Sequence, residues 1–457
     1  MAFETNLTEG SVAKKYIFFV IPILLSGFIQ QLYNLADAVV VGKFVGDTAL
    51  AAVGATSSLT NLILNLFLGL SVGTNVVCSR FYGAENKEAL HKAIHTSIFL
   101  GIISGVLLAL VGLIFSGSLL RFMATPEEVI GEATLYMQIY FLGAPASMLY
   151  NFGTAVLRAA GDTKRPLYIL AATGVANVIL NLFCVIALGL GVLGVAIGTV
   201  ASQLLSAVMV LWILVRNNTE FKLTFSKLRI YKNELIKIAA TGIPAGLNGI
   251  MFNISNVIIQ TAINSFGKVA IAGSVASSNI ENFIYLATNS AEQGVITFVG
   301  QNMGARKPKR VNMVIKTGLL STLVGVGVFS ALVLVFSEEL LGLFVKDASQ
   351  TGIIKVGIMK MAVVVSSYCL LVPSSIYGAA LKGMGSALAC MVVNSVCVCL
   401  IRIVWILAIL PLNRTVTMLF FAYPVSWLTS SIVMFIVYII MRRKRYERIG
   451  QIVTLEG

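Results

Sequence analysis

The stretch GLSVGTNVVCSRFYGAENK (69–87) returns later in the chain as SAEQGVITFVGQNMGARKP (290–308). Gly73, Gly83 and Ala84 fall on Gly294, Gly304 and Ala305 at one constant offset. At a shift one residue different, Ile21-Pro22 falls on Ile243-Pro244 and Asn34 on Asn256. Further on, LRAAG (157–161) matches LKGMG (381–385). Small residues are common in membrane helices, so a short glycine match alone carries little. Four blocks in one order at nearly constant spacing describe a chain built from two similar halves.

The surrounding composition says what each half is made of. Of the 457 residues, 58% are hydrophobic and only 11% charged, with mean hydropathy +0.91. Apolar runs of about 20 residues recur along the whole length, each sufficient to cross a bilayer as a helix. The runs are continuous rather than alternating, which excludes a transmembrane β-barrel. Twelve spans are expected at about 16–41, 50–78, 93–116, 131–157, 166–188, 192–216, 236–263, 270–299, 314–337, 351–380, 386–410 and 416–441. The fold class is therefore an all-α polytopic membrane protein, with twelve helices in two pseudo-symmetric six-helix bundles. The domains read as an N-terminal lobe at 1–216, a linker at 217–235, a C-terminal lobe at 236–441 and a basic tail at 442–457. Six is even, so both halves enter the membrane in the same orientation, the parallel-repeat design of some secondary transporters.

The net charge of +14 is a topology signal rather than a nucleic-acid footprint. Lys14, Lys15, Arg80, Lys87, Lys92, Arg158, Lys164, Arg165, Lys382, the clusters 216–237 and 306–316 and the tail 442–448 all fall on one side. Only Lys43, Arg121, Lys268, Lys346, Lys355, Lys360 and Arg414 scatter to the other loops and helix ends. By the positive-inside rule both termini are cytoplasmic. The apolar run after Lys15 is too long for a cleaved signal and reads as the first span. All six cysteines lie in or beside apolar segments with no CxxC pair, as small buried hydrophobes would.

Against this background, QQLYNLADAVVVGKFVG (30–46) carries a carboxylate, Asp37, about one turn inside the outer end of its span. A charge at the bilayer centre costs about 2.5–3.5 kcal/mol on insertion scales. Gln30, Asn34 and Asp37 recur at i, i+4, i+7, one polar face of an apolar helix, with Tyr33 beside it. Two readings stand: a stripe facing a cavity or the bundle interior, or a helix-end acid in headgroup water. On the fifth span Asn177 and Asn181 share a face, and Thr199 begins the sixth. Their oxygens can accept a bond from a protonated carboxyl or ligate a hard cation; they can equally be interhelical packing contacts.

The second half carries a different set. Glu281, Tyr285, Thr288 and Glu292 form one stripe on the eighth span, and Asn253, Asn256 and Gln260 another on the seventh. Arg402, inside the eleventh span, is assigned as a structural counter-charge to a glutamate. Ile259 stands where the repeat would place a second Asp37. Pro22, Pro145, Pro244 and Pro373 mark bends, and Pro22 and Pro244 are the candidate hinges. No Walker A pattern and no Ser-His-Asp set is present. His91 and His95 lie four apart in HKAIH and read as a surface helix face, with no third residue to complete a metal site.

These segments together resemble the multidrug and toxic compound extrusion (MATE) family, prokaryotic type, over essentially all twelve spans. The resemblance rests on YNLADAVVVGKFVGDTALAAVG (33–54), GAENKEAL after the second span, LRAAGDTKRPL (157–167) and FVGQNMGARK (298–307). It implies two six-helix lobes in a V, rocking to export organic cations and amphipathic compounds in exchange for protons or sodium. It further implies a cation-coupling site at Asp37, Asn177, Asn181 and Thr199. Asn181 departs from the pattern, since many relatives carry Asp there. The acid cluster that another branch carries in spans seven and ten has no match. The resulting expectation is an antiporter, not an enzyme, with no cofactor and H⁺ or Na⁺ as coupling ion. Its substrates would be cationic or amphipathic small molecules, handled by a monomer in a bacterial inner membrane. A lipid-linked oligosaccharide flippase would want a basic cavity, whereas the intramembrane charges read here are mainly acidic. A membrane-embedded lipid enzyme would want clustered DxxxD acids, which are absent, and a non-transporting scaffold would show no counterflow.

Overall fold

In the computed structural model, residues 5–123, 125–344 and 351–456 are described, with side chains at 47–52, 55, 57–59, 61–62 and 448–456 set aside. Among the described residues the chain is helical throughout, without strands. The helices are α1 (Val12–Phe44), α2 (Asp47–Gly83), α3 (Lys87–Phe122), α4 (Glu127–Leu142), α5 (Ala144–Ala159), α6 (Lys164–Leu182) and α7 (Gly191–Val215). After them come α8 (Lys232–Asn264), α9 (Lys268–Gly304), α10 (Pro308–Val335), the short α11 (Ser337–Gly342), α12 (Thr351–Val364) and α13 (Tyr368–Gly383). The last are α14 (Ala387–Asn394), α15 (Ile401–Val404), α16 (Val416–Phe420) and α17 (Ala422–Glu456). Among the described residues, nine apolar rods are each long enough to cross a membrane, and α12 with α13, bent by 49°, make a tenth. Pairing α4 with α5 and adding α9 gives the twelve-span layout. Lys346 lies outside the described residues.

The twelve spans do not map one to one onto unbroken helices. The fourth span breaks at Gly143, just before Pro145. The tenth breaks at 365–367, before Tyr368. The eleventh runs from α14 into a π-segment, Ser395–Leu400, then α15, then a second, Trp405–Ile409. Such wide turns inside membrane helices often mark sites where side chains are re-aimed.

The chain divides into two compact units, residues 1–7 with 21–246 and residues 8–20 with 247–457. The boundary therefore falls inside α8 rather than in the 217–235 linker, and the start of α1 goes with the second unit. Pro22 and Pro244 each lie within two residues of these divisions. In the second unit, Tyr16 is buried, donates to the Ala291 carbonyl at 2.9 Å and meets Phe298 edge-on. Those anchors explain why the first turns of α1 belong there.

Within the first unit, α2 and the first half of α8 cross backbone to backbone. A Cβ on Gly69 would lie 2.1 Å from the Gly246 nitrogen, and one on Gly73 2.3 Å from the Ile238 carbonyl. One on Gly242 would lie 2.7 Å from Leu70 Cα. Gly69/Gly73 and Gly242/Gly246 are both GxxxG pairs, which let helices approach closely in lipid. Backbone cannot step aside as a side chain does, so overpacking here costs at the upper end of the usual ~1–3 kcal/mol or beyond. Gly73→Val is expected to lower the melting temperature of the purified protein by several degrees relative to Gly325→Val, whose Cβ meets nothing within 4 Å. Equal melting of the two variants would refute the close crossing.

His95 is not on a surface face. It is fully buried; Nδ1 bonds the His91 carbonyl at 2.7 Å, and Nε2 accepts from the Thr224 amide at 3.0 Å. A ring with one N–H and one acceptor satisfies both groups and pins the linker to α3.

Candidate functional site: a carboxylate faced by two asparagines

Asp37 does not point away from the bundle. It is half-buried in the outer half of α1, and Asn181 Nδ2 donates to its Oδ1 at 2.6 Å. The same nitrogen reaches Asn177 Oδ1 at 3.4 Å. Asn177 Nδ2 in turn reaches Thr199 Oγ1 at 3.4 Å and Ser202 Oγ at 3.3 Å. Asn177, Asn181, Thr199 and Ser202 are all buried. The sequence-derived quartet is therefore one connected set, with Ser202 added to it.

Local structure explains the convergence. Asn177 and Asn181 sit one turn apart on α6, and the helix widens into a π-segment, Phe183–Ala187, just beyond. The chain then turns through Gly189 and Gly191, at φ 64° and 54°, a left-handed conformation that favours glycine. That turn lays α7 back against α6. At the crossing, a Cβ on Gly198 would lie 2.0 Å from Asn181 Oδ1. Only a glycine lets Thr199 and Ser202 come this near the two amides.

Among the described residues Asp37 has no basic partner, and no group of three or more His, Cys, Asp or Glu could hold a metal. Its ionised form is held by one neutral amide alone. Asn181 Oδ1, on that same amide, is buried with no hydrogen-bond partner among the described residues. Such an orphaned buried acceptor normally costs about 1–3 kcal/mol.

Beside the quartet lies a cavity of about 180 Å³ lined by Gln30, Tyr33, Tyr140, Asn151, Asn177 and Ser202 among others. Gln30 bonds the Tyr33 hydroxyl, and Ser206 donates to Thr173 Oγ1 at 2.9 Å. Gln30 and Tyr33 thus reach the cavity, whereas Asn34 of the same stripe is exposed. Ser202, Ser206, Tyr140 and Gly198 were not singled out from the sequence. The signal was there for two of them: Thr199, Ser202 and Ser206 recur at helical spacing on one face of α7.

The second unit differs from expectation. Arg402 is fully buried but faces no carboxylate among the described residues. It donates to Ser426 Oγ (3.2 Å), Ser255 Oγ (3.1 Å) and Asn256 Oδ1 (2.9 Å), and its guanidinium stacks 4.5 Å from the Tyr423 ring. The counter-charges are lysines instead. Lys360 lies 3.4 Å from Glu281 and is 1% exposed, so it is no outer-loop residue; Lys382 pairs with Glu292. Glutamates take the cations whose ammonium stems thread between α9 and its neighbours, and the guanidinium is left to hydroxyls and aromatic faces. Of the remaining residues, Tyr285 stacks on Phe252, Thr288 is a buried hydroxyl with no partner, and Gln260 bonds Asn264. Asn253 is half-buried. Arg402→Lys removes the planar fork that serves three acceptors. It is expected to lower thermal stability by about 1.5–3 kcal/mol while leaving transport coupling intact, checked by melting and vesicle transport on the same preparation.

The MatE family model matches residues 22–183 and again 244–407. The chain belongs to the MATE family. It is 30% identical over 393 residues to the probable multidrug resistance protein YoeA of Bacillus subtilis, covering 83% of each chain. It is 23% identical over 345 residues to the multidrug export protein MepA of Staphylococcus saprophyticus, covering 75% of this chain and 76% of that one. A solved MATE in complex with MaL6 shares the fold at TM-score 0.91, 21% identity and 99% coverage of this chain and 100% of that one. The twofold family match coincides with the internal repeat. It places the chain among multi-pass membrane transporters.

Proposed function

We propose that this MATE chain exports cationic or amphipathic compounds across a bacterial inner membrane in exchange for protons, with Asp37 as the coupling carboxylate. Both termini are cytoplasmic in this reading, and the working unit is a monomer. The observation that carries it is the lone acid against Asn181. Ionised, Asp37 uses that amide's donor and has no counter-charge among the described residues. Protonated, it becomes a donor, and the same amide carries an unused acceptor, Oδ1. One side chain thus suits both protonation states, once its amide turns over to exchange Nδ2 and Oδ1.

Proton binding then changes what the first unit can hold. With Asp37 charged, the adjoining cavity attracts a cation. With Asp37 neutral, the attraction is lost and the Asn177–Thr199–Ser202 chain repacks. An ion shifts a conformational equilibrium only through differential affinity for the two states. Outward loading with H⁺ therefore expels the substrate, and inward release of H⁺ resets the site. Sodium is the alternative coupling ion, with Asp37, Asn177, Asn181 and Thr199 as oxygen ligands. One carboxylate and two amides make a thin charge set for it.

The test is uptake of a panel of labelled organic cations into vesicles carrying the purified protein, with proton and sodium gradients imposed separately. Uptake driven by the proton gradient alone is expected. Uptake that follows sodium alone would overturn the choice of ion, and uptake that follows neither would overturn the exchange mechanism.

A further inference from the structure

Lys360 of α12 has a pocket of oxygens to itself. Its Nζ donates to the Ser274 carbonyl at 3.1 Å and to Ser278 Oγ at 2.5 Å, and it lies 3.4 Å from Glu281 Oε1. The three groups sit at i, i+4 and i+7 of α9, so a single helix face supplies all of them. Glu281 is itself held by Ser277 Oγ at 2.6 Å. Ser274 carries a second oxygen, its hydroxyl, that is buried and without a hydrogen-bond partner among the described residues. Lys360, Ser274 and Ser277 are essentially inaccessible to water.

A carbonyl, a hydroxyl and a carboxylate converging on one point are the ligands of a hard cation. Here that point is filled by an ammonium that cannot leave. We infer that the second unit contains a monovalent-cation site permanently occupied by the tethered ammonium of Lys360. Removing that ammonium opens the site to sodium, because α9 alone holds the oxygen set in place.

The reading explains the asymmetry between the repeats. Lys360 gives Glu281 a fixed counter-charge, whereas Asp37 has none among the described residues. Glu281 and Glu292 thus each hold a fixed ammonium, whereas Asp37 is free to trade one cation for another. The inference does not depend on what Asp37 does, and it is tested with Asp37 removed.

The experiment measures equilibrium binding of radioactive sodium to the detergent-purified full-length chain, with choline as the replacing ion. All variants carry Asp37→Asn, so that the first unit contributes nothing. Adding Lys360→Ala is expected to create about one sodium equivalent per chain, and a sodium-dependent rise in melting temperature of about 3 °C near 100 times the dissociation constant. Adding Glu281→Gln as well should abolish both. A folded Lys360→Ala protein that binds no more sodium than its parent overturns the inference. Should Lys360→Ala fold poorly, its yield of monodisperse protein in sodium and in choline decides. Recovery in sodium alone supports the latent site. Equal failure in both ions, with the Lys360→Ala/Glu281→Gln double variant folding, shows a plain structural ion pair and overturns it.

Discussion

Asp37→Asn is expected to abolish gradient-driven export in proteoliposomes while leaving the protein folded. The substitution keeps an amide oxygen where Oδ1 stood, so Asn181 Nδ2 retains its acceptor. It removes a group beside the cavity that changes charge on binding a proton. Coupling free energies between sites typically amount to about 1–3 kcal/mol, so the gradient-dependent part of the rate should fall by ~5–150-fold. Melting should move by no more than about 1 °C, since the side-chain volume is nearly unchanged and Asn181 Nδ2 keeps its acceptor. Substrate binding without a gradient is expected to lose its competition with protons. Normal transport by the variant under an imposed gradient would remove Asp37 from the mechanism. The twin-unit architecture would be untouched.

How much of this was legible beforehand differs between the two units, for physical reasons. In the first, the acid and its partners lie on three helices whose spacing obeys the 3.6-residue period. A polar stripe in an apolar segment has few places to go. Asp37, Asn177, Asn181 and Thr199 were therefore found, and the structure joins them. Asn34 shares the stripe and is exposed, because a helix period fixes the face but not which turn meets a neighbour.

In the second unit, lysines misled. Counting Lys and Arg along loops gives topology, and Lys360 and Lys382 were counted that way. Their stems carry the ammonium groups into the helix bundle, where both are buried. A charge tally has no means of separating a loop lysine from one that threads inward. Arg402 was noticed because it stands in the middle of a span, yet its partners, Ser255, Asn256 and Ser426, are neutral. The fold boundary was likewise beyond reach. A linker can be read from composition, but the passage of α1 and α8 from one unit to the other depends on which neighbours each turn packs against. Proline places the break of the fourth span, at Gly143 just before Pro145, and puts a bend in the tenth, though at Pro373 rather than at 365–367; the π-segments of the eleventh span have no such marker, since backbone geometry inside an apolar run leaves little trace in residue type.

Gly198→Ala should produce the second-largest loss of coupling, although it adds only a methyl group and touches no charge. The new Cβ would lie 2.0 Å from Asn181 Oδ1 and 3.0 Å from its backbone nitrogen. Either α7 moves off α6 or the Asn181 amide swings out. The first breaks the Asn177 contacts to Thr199 and Ser202, and the second breaks the bond to Asp37. Overpacking of this kind costs ~1–3 kcal/mol, so a melting temperature lower by a few degrees is expected together with a loss of proton-driven export. Gly325→Ala, in open space, should change neither. Stability and coupling can be separated by a double-mutant cycle with Asn181→Ala, which removes the atom the methyl would strike. Contacting residues typically show interaction energies of ~0.5–3 kcal/mol. The double variant should therefore melt higher than the sum of the single effects predicts, yet remain uncoupled, because Asp37 would still lack its amide. Additive melting would mean that Asn181 and Gly198 do not meet. Recovery of coupling in the double variant would mean that helix packing alone, and not the amide beside Asp37, carries the proton's effect.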